Sequence, residues 1–89
     1  MRTFSRTNQF KKDVKHAAKR GWDLSRLKNA LDLLIEGDPL PPEYRDHPLQ
    51  GNWGGSRDCH IGPDWVLIYT LEKGHVRFER TGTHSDLFR

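Results

Sequence analysis

Cysteine is nearly missing from this 89-residue chain, and aliphatic and aromatic residues reach only 34%. A lone Cys59 leaves no internal disulfide framework, which fits a reducing cytoplasm. No stretch approaches the roughly 18 consecutive apolar residues of a membrane span, so no membrane partner is expected. Met1–Phe10 holds no apolar core of the signal-peptide kind. Internal repeats, low-complexity tracts and interdomain linkers are absent as well. The length suits one domain, residues 1–89. A domain of this size buries only about 60% of its unfolded surface, so its core must come from a few strongly apolar segments.

What is there is unevenly distributed. The formal net charge is only +3, yet residues 1–30 carry nine Lys/Arg against Asp13 and Asp23. Residues 31–64 reverse the balance, with seven acids against Arg45 and Arg57. Lys11, Lys15 and Lys19 fall in one helical row with Lys12 beside them, a face suited to a polyanion. A merely solvated helix surface would carry the same charges.

Periodicity divides the chain into a helical first half and a stranded second half. Arg2–Ser5 can form an edge strand, and Thr7 or Asn8 can cap a helix with Phe10, Val14, Ala17 and Ala18 along one stripe. Gly21 marks its end, and Asp23 caps a second helix lined by Leu24, Leu27, Leu31 and Leu34 that stops at Gly37. Asp38–Pro48 holds four prolines and reads as an extended loop. Strands are expected over Arg57–Ile61, Trp65–Leu71 and His75–Thr81, the middle one almost continuously apolar and hence central. The tail from Gly82 to Arg89 has room for a final helical turn. The fold class is α+β: a helical hairpin packed on one face of a small antiparallel sheet, with the other face free to carry a site.

The polar residues needing explanation lie in the second half: His47, His60, Asp64, Arg80 and His84, with Trp65 and Phe88 nearby. Imidazoles and carboxylates exchange protons, a guanidinium matches phosphate, and an aromatic ring offers a surface for an unstacked base. Together they are the parts needed to cleave RNA without a metal or cofactor. Each has a plainer structural reading: His47 as a loop histidine, His60 as a hydrogen-bonder, Asp64 as a turn cap, Trp65 as core. Arg80 alternates onto the face of Val76 and Phe78, so it requires a partner, a bulge that re-aims it, or an open pocket. His84 and Phe88, four apart, would share one side of a helical turn. Metal ligation is the weaker reading, since there is neither His-Glu-x-x-His nor a cysteine pair. Cys59 alternates away from His60 and reads as a buried thiol rather than a nucleophile.

Three strings add more than the residues singly: Tyr44–Trp53 (YRDHPLQGNW), Arg57–Tyr69 (RDCHIGPDWVLIY) and Arg80–Phe88 (RTGTHSDLF). In order, and with the helical Phe10–Lys15 (FKKDVK), they resemble the YafQ branch of the RelE/ParE toxin superfamily along essentially the whole chain. The resemblance implies a RelE-like fold and a type II toxin that cuts messenger RNA on the translating ribosome. It further implies neutralisation by a cognate antitoxin. By the same resemblance, His47, His60, Asp64, Arg80 and His84 are catalytic and Trp65 and Phe88 bind RNA. Lys11, Lys12, Lys15 and Lys19 would then face ribosomal RNA. ParE-type gyrase poisons share the fold and lack this histidine set. A gyrase-directed toxin and a non-catalytic RNA- or protein-binding module are the competing readings.

Overall fold

A computed structural model describes residues 1–88; Arg89, the end of the expected terminal turn, lies outside the described residues. Five strands form one sheet: β1 (Thr3–Arg6), β2 (His47–Pro48), β3 (Arg57–Gly62), β4 (Trp65–Glu72) and β5 (His75–Gly82), in the spatial order β1-β5-β4-β3-β2. Three helices accompany it, α1 (Asn8–Lys19), α2 (Leu24–Glu36) and the single turn α3 (His84–Leu87).

The helices begin and end where side-chain chemistry dictates. Thr7 accepts the backbone N–H of Phe10 and Asp23 accepts that of Ser25, each satisfying an otherwise orphaned helical donor. Gly37 closes α2 in the left-handed region at φ 86°, a conformation costly for any residue with a Cβ. Phe10 and Ala17 of α1, with Leu27, Ala30 and Leu34 of α2, pack on Cys59, Ile61, Trp65, Leu67, Tyr69, Val76 and Phe78 of the sheet. Each large side chain so buried stabilises the fold by roughly 1.5–3 kcal/mol.

The structure departs from the expected antiparallel sheet at one edge, because β1 runs parallel to β5. No short turn ties these two strands together, so hairpin logic does not fix the direction of β1. His75 fastens them instead, with Nδ1 2.7 Å from the Thr3 hydroxyl and Nε2 2.9 Å from that of Ser5. The second departure concerns the face opposite α1 and α2, which is not bare. Val66 and Ile68 are fully buried there beneath Leu87 of α3, with half-buried Leu49 and Trp53 around them. The apolar run of β4 thus has a physical cause: the strand is buried on both faces.

Candidate active site

Strand pairing brings the distant polar residues together on this second face. His47 lies directly across from Asp58 in the β2–β3 ladder, and His60 follows two residues later on the same side of β3. Leu87 anchors α3 over Val66 and Ile68 and so delivers His84 to the same place. Successive imidazole centroids are 6.3 Å apart from His47 to His60 and 5.5 Å from His60 to His84. Phe88 stands beyond His84 at 5.9 Å, as an i,i+4 pair on one turn should, with its ring exposed to solvent.

One carboxylate fixes His84. Asp64 sits in the β3–β4 turn with a left-handed backbone, φ 49°. Its Oδ1 accepts the backbone N–H of His84 at 3.0 Å and faces ring Nδ1 at 2.8 Å. These bonds, the backbone one foremost, hold the Asp64 carboxyl below the ordinary carboxylate range. An anionic acceptor at Nδ1 places that proton on Nδ1 and leaves Nε2 facing outward as the working nitrogen.

His47 is oriented in the same sense by a backbone acceptor. Its Nδ1 donates to the Arg45 carbonyl at 2.7 Å, which frees Nε2 to accept a proton. The loop that presents it is tied down through Asp46, which accepts from Arg57 at 3.0 Å and from the Tyr69 hydroxyl. Beneath His47 lies Asp58, a residue the sequence reading passed over. It is only 3% exposed, and its Oδ1 is the one buried side-chain oxygen without a hydrogen-bond partner among the described residues. That oxygen is 3.0 Å from His47 Nδ1, but the ring N–H points to the carbonyl instead. Burial pushes the Asp58 carboxyl up, and the nearby charges of His47, His60 and His84 pull it back. The sequence signal for it was available: alternation sets Asp58 on the face of His60, opposite Cys59 and Ile61.

Two expected site residues are placed differently. The register of β5 slips at Glu79, so that Phe78 faces Tyr69 and Arg80 faces Ile68. This bulge gives the inward position to Thr81 in place of Arg80. The Arg80 guanidinium is instead engaged by Asp13 of α1, with Nε at 2.9 Å and Nη2 at 3.1 Å. Both the bulge and the partner that its position demanded are therefore present. Trp65, expected at the RNA surface, is buried against Trp22 at 4.9 Å and donates Nε1–H to Thr81 at 2.9 Å. No face of that ring is open to a base. Lys11, Lys12, Lys15 and Lys19 are all exposed on α1 and none is in an ion pair among the described residues. They occupy the helical side of the molecule, away from the histidines. Cys59 is fully buried, and burial raises its thiol far out of the reactive range. Among the described residues, no group of three His, Cys, Asp or Glu side chains is arranged to hold a metal ion.

Comparison with known proteins adds identity to this geometry. The chain is 55% identical over 83 residues to the mRNA interferase toxin YafQ of Escherichia coli K12, covering 92% of this chain and 90% of that protein. The fold superposes with a TM-score of 0.93 and 52% identity on YafQ in its crystallised complex with DinJ, over the full length of both chains. A metal-bound toxin from Helicobacter pylori matches at a TM-score of 0.91 and 39% identity, covering 99% of this chain and 100% of that one. Residues 2–89 match the family model described as YafQ, a bacterial toxin of type II toxin–antitoxin systems. With whole-chain likeness in both sequence and fold, the chain belongs to the YafQ family of type II toxins.

Proposed function

We propose that this toxin is an endoribonuclease that cuts messenger RNA on the ribosome by proton transfer alone, without a metal. The observation that carries this reading is the row of three imidazoles, spaced 6.3 and 5.5 Å, with His84 clamped at two atoms by Asp64. Such spacing lets one ring work on each side of a phosphate. His60, assisted by His47, takes the proton of the ribose 2′-hydroxyl through a free ring nitrogen. The O2′–P bond forms as the P–O5′ bond breaks, and protonated His84 gives its Nε2 proton to the departing 5′-oxygen. The products are a 2′,3′-cyclic phosphate and a 5′-hydroxyl. Asp64, with its Oδ1 engaged by the His84 N–H and ring and its carboxyl lowered by those bonds, serves to orient the acid.

The crowded phosphate needs a cation, and Arg80 provides it by exchanging Asp13 for the phosphate when RNA enters. Arg80 is 26% exposed and Asp13 10%, and when the guanidinium leaves, the Asp13 carboxylate keeps the Thr81 N–H and the Gln9 amide as donors. Phe88 stacks against a base beside the cut. The lysines of α1 carry the toxin onto ribosomal RNA, which supplies the in-line geometry that free RNA lacks. A cognate antitoxin neutralises the toxin in the cytoplasm, as the DinJ complex of the Escherichia coli relative suggests.

The metal in the Helicobacter pylori toxin motivates a second reading, metal-assisted hydrolysis. One experiment separates them: express the toxin, map new messenger RNA 5′ ends, and repeat the cut on purified translating ribosomes with a chelator selective for transition metals. Persistent cleavage with cyclic phosphate ends supports proton transfer. Cleavage abolished by chelator and restored by zinc supports the metal. Intact messages with stalled gyrase would overturn both.

A further inference from the structure

From His60 and His84 a cavity of about 670 Å3 opens toward α2, passing the turn Pro42–Tyr44 and the β3–β4 turn. We infer that it seats one ribonucleotide of the message next to the scissile phosphate, with Arg26 and Arg45 binding phosphate and Asn29 reading the base. This deepens the ribonuclease reading and rests on it.

The size is that of a small-molecule site, for which roughly 300–1,000 Å3 is usual. Its position decides the ligand. His60, Asp64 and His84 form one wall. An occupant must therefore be continuous with whatever those residues cleave, and a nucleotide adjoining the cut meets that condition without further assumption.

The charges in the walls agree. Neither Arg26 nor Arg45 is in an ion pair among the described residues. Asp64 is already committed to His84, leaving Glu43 as the one free carboxylate of the lining. Asn29 offers a donor and an acceptor, and Glu43 an acceptor, which is the equipment for a base edge rather than a phosphate. Tyr44, half-buried, gives the base an aromatic surface.

Both arginines are set in place by backbone. Arg26 Nη1 lies against Gly62, only 3.0 Å from where a Cβ would stand, so glycine there lets the guanidinium rest on the end of β3 beside His60. Arg45 adopts φ 49°, an uncommon left-handed conformation for a side-chain-bearing residue. That turn aims its carbonyl at His47 Nδ1 while its side chain lines the cavity. A nucleotide gripped by Arg45 would thus touch the same residue whose carbonyl orients His47.

The test uses the intact toxin and a short ribo-oligonucleotide whose 2′-hydroxyl at the cut is replaced by hydrogen. R26A/R45A should weaken its binding tenfold or more. The log–log dependence of affinity on salt should flatten by about 1.4, from two phosphate contacts at about 0.7 each. Asn29→Ala should alter the base next to the cut in mapped messenger 5′ ends while overall cleavage persists. All three side chains are exposed, and thermal melting of each variant checks that folding is intact. Wild-type toxin without measurable affinity for the oligonucleotide, or equal binding and an unchanged salt slope in R26A/R45A, would overturn the assignment. So would a variant that keeps RNA but loses its antitoxin, which would make the cavity a protein-docking site. If the wild type cuts messages and the variants cut identically, only the cavity assignment falls. If the wild type cuts no message, the ribonuclease reading falls with it.

Discussion

At the scale of single residues, His84 and Asp58 separate what a side chain does for chemistry from what it costs the fold. The His84 side chain is exposed, and among the described residues its ring is hydrogen-bonded to Asp64, so removing it leaves the core untouched. His84→Ala should lower the single-turnover cleavage rate by roughly 10²–10⁴-fold with ribosome affinity nearly unchanged. Phe88→Ala should weaken substrate positioning, whereas Phe88→Trp should retain most activity. Full cleavage by both His84→Ala and Phe88→Ala would leave His47 and His60 to perform both proton transfers. Asp58 is the reverse case. Its carboxyl is raised by burial, so between the ordinary carboxylate range and the raised value the folded state holds a proton that the unfolded chain has released. Stability attributable to this group therefore falls as pH rises from the ordinary carboxylate range through the folded value. Asp58→Asn removes that penalty. The variant should melt above wild type at neutral pH, and the gap should close as pH falls below the ordinary carboxylate range. Its cleavage should be slower, because the anion beneath the histidines is gone. Thermal melts across pH decide the matter, and a constant or inverted gap would contradict it.

Among the elements, α3 and the β5 bulge set the site. A four-residue helix has no stability of its own, and besides the Asp64 bond to its first N–H and the Arg20–Asp86 ion pair, local packing and a capping box hold this one. Leu87 packs on β4, and a capping box joins Thr83 and Asp86, with Thr83 Oγ1 accepting the Asp86 N–H at 3.1 Å and Asp86 accepting the Thr83 N–H at 3.0 Å. Thr83→Ala should cost about 1 kcal/mol in denaturant unfolding. Cleavage should fall by more than that loss explains, because His84 is the first residue of the turn. Activity equal to wild type would mean that Leu87 and the Asp64 clamp position His84 without the box. The bulge at Glu79 places Thr81 inside, where its hydroxyl accepts from Trp65 and donates to the Val66 carbonyl at 2.9 Å. Thr81→Val strands the buried indole N–H and should destabilise the fold by about 1–3 kcal/mol, read by the same unfolding curves.

For the molecule as a whole, the proposed docking and cleavage functions fall on two sides. The lysines crown the helical layer, and the histidines lie across the sheet from it. Replacing Lys11, Lys12, Lys15 and Lys19 by glutamine should weaken ribosome binding and flatten its salt dependence. The cleavage rate at saturating ribosomes should not change. A lower saturating rate with unchanged affinity would show that α1 acts on chemistry instead of docking. Separation of the two sides also means that an antitoxin covering either one would silence the toxin.

Much of this was legible before any fold was known, because it depends on neighbours in the chain. Thr7, Asp23 and Gly37 act on backbone groups within a few residues, so local sequence specifies both helices. The apolar run of β4 announces a central buried strand, and the spacing of His84 and Phe88 announces a shared side of one turn. Residue types singled out His47, His60, Asp64, Arg80 and His84, and only the family resemblance made them a catalytic set. What tertiary structure alone decided depends on partners far along the chain. The parallel pairing of β1, the capture of Arg80 by Asp13 sixty-seven residues away, the burial of Trp65 under Trp22 and the isolated Asp58 oxygen beneath His47 all arise from packing. Local periodicity fixes the direction in which a side chain leaves its strand. Only the assembled layers fix what it meets there.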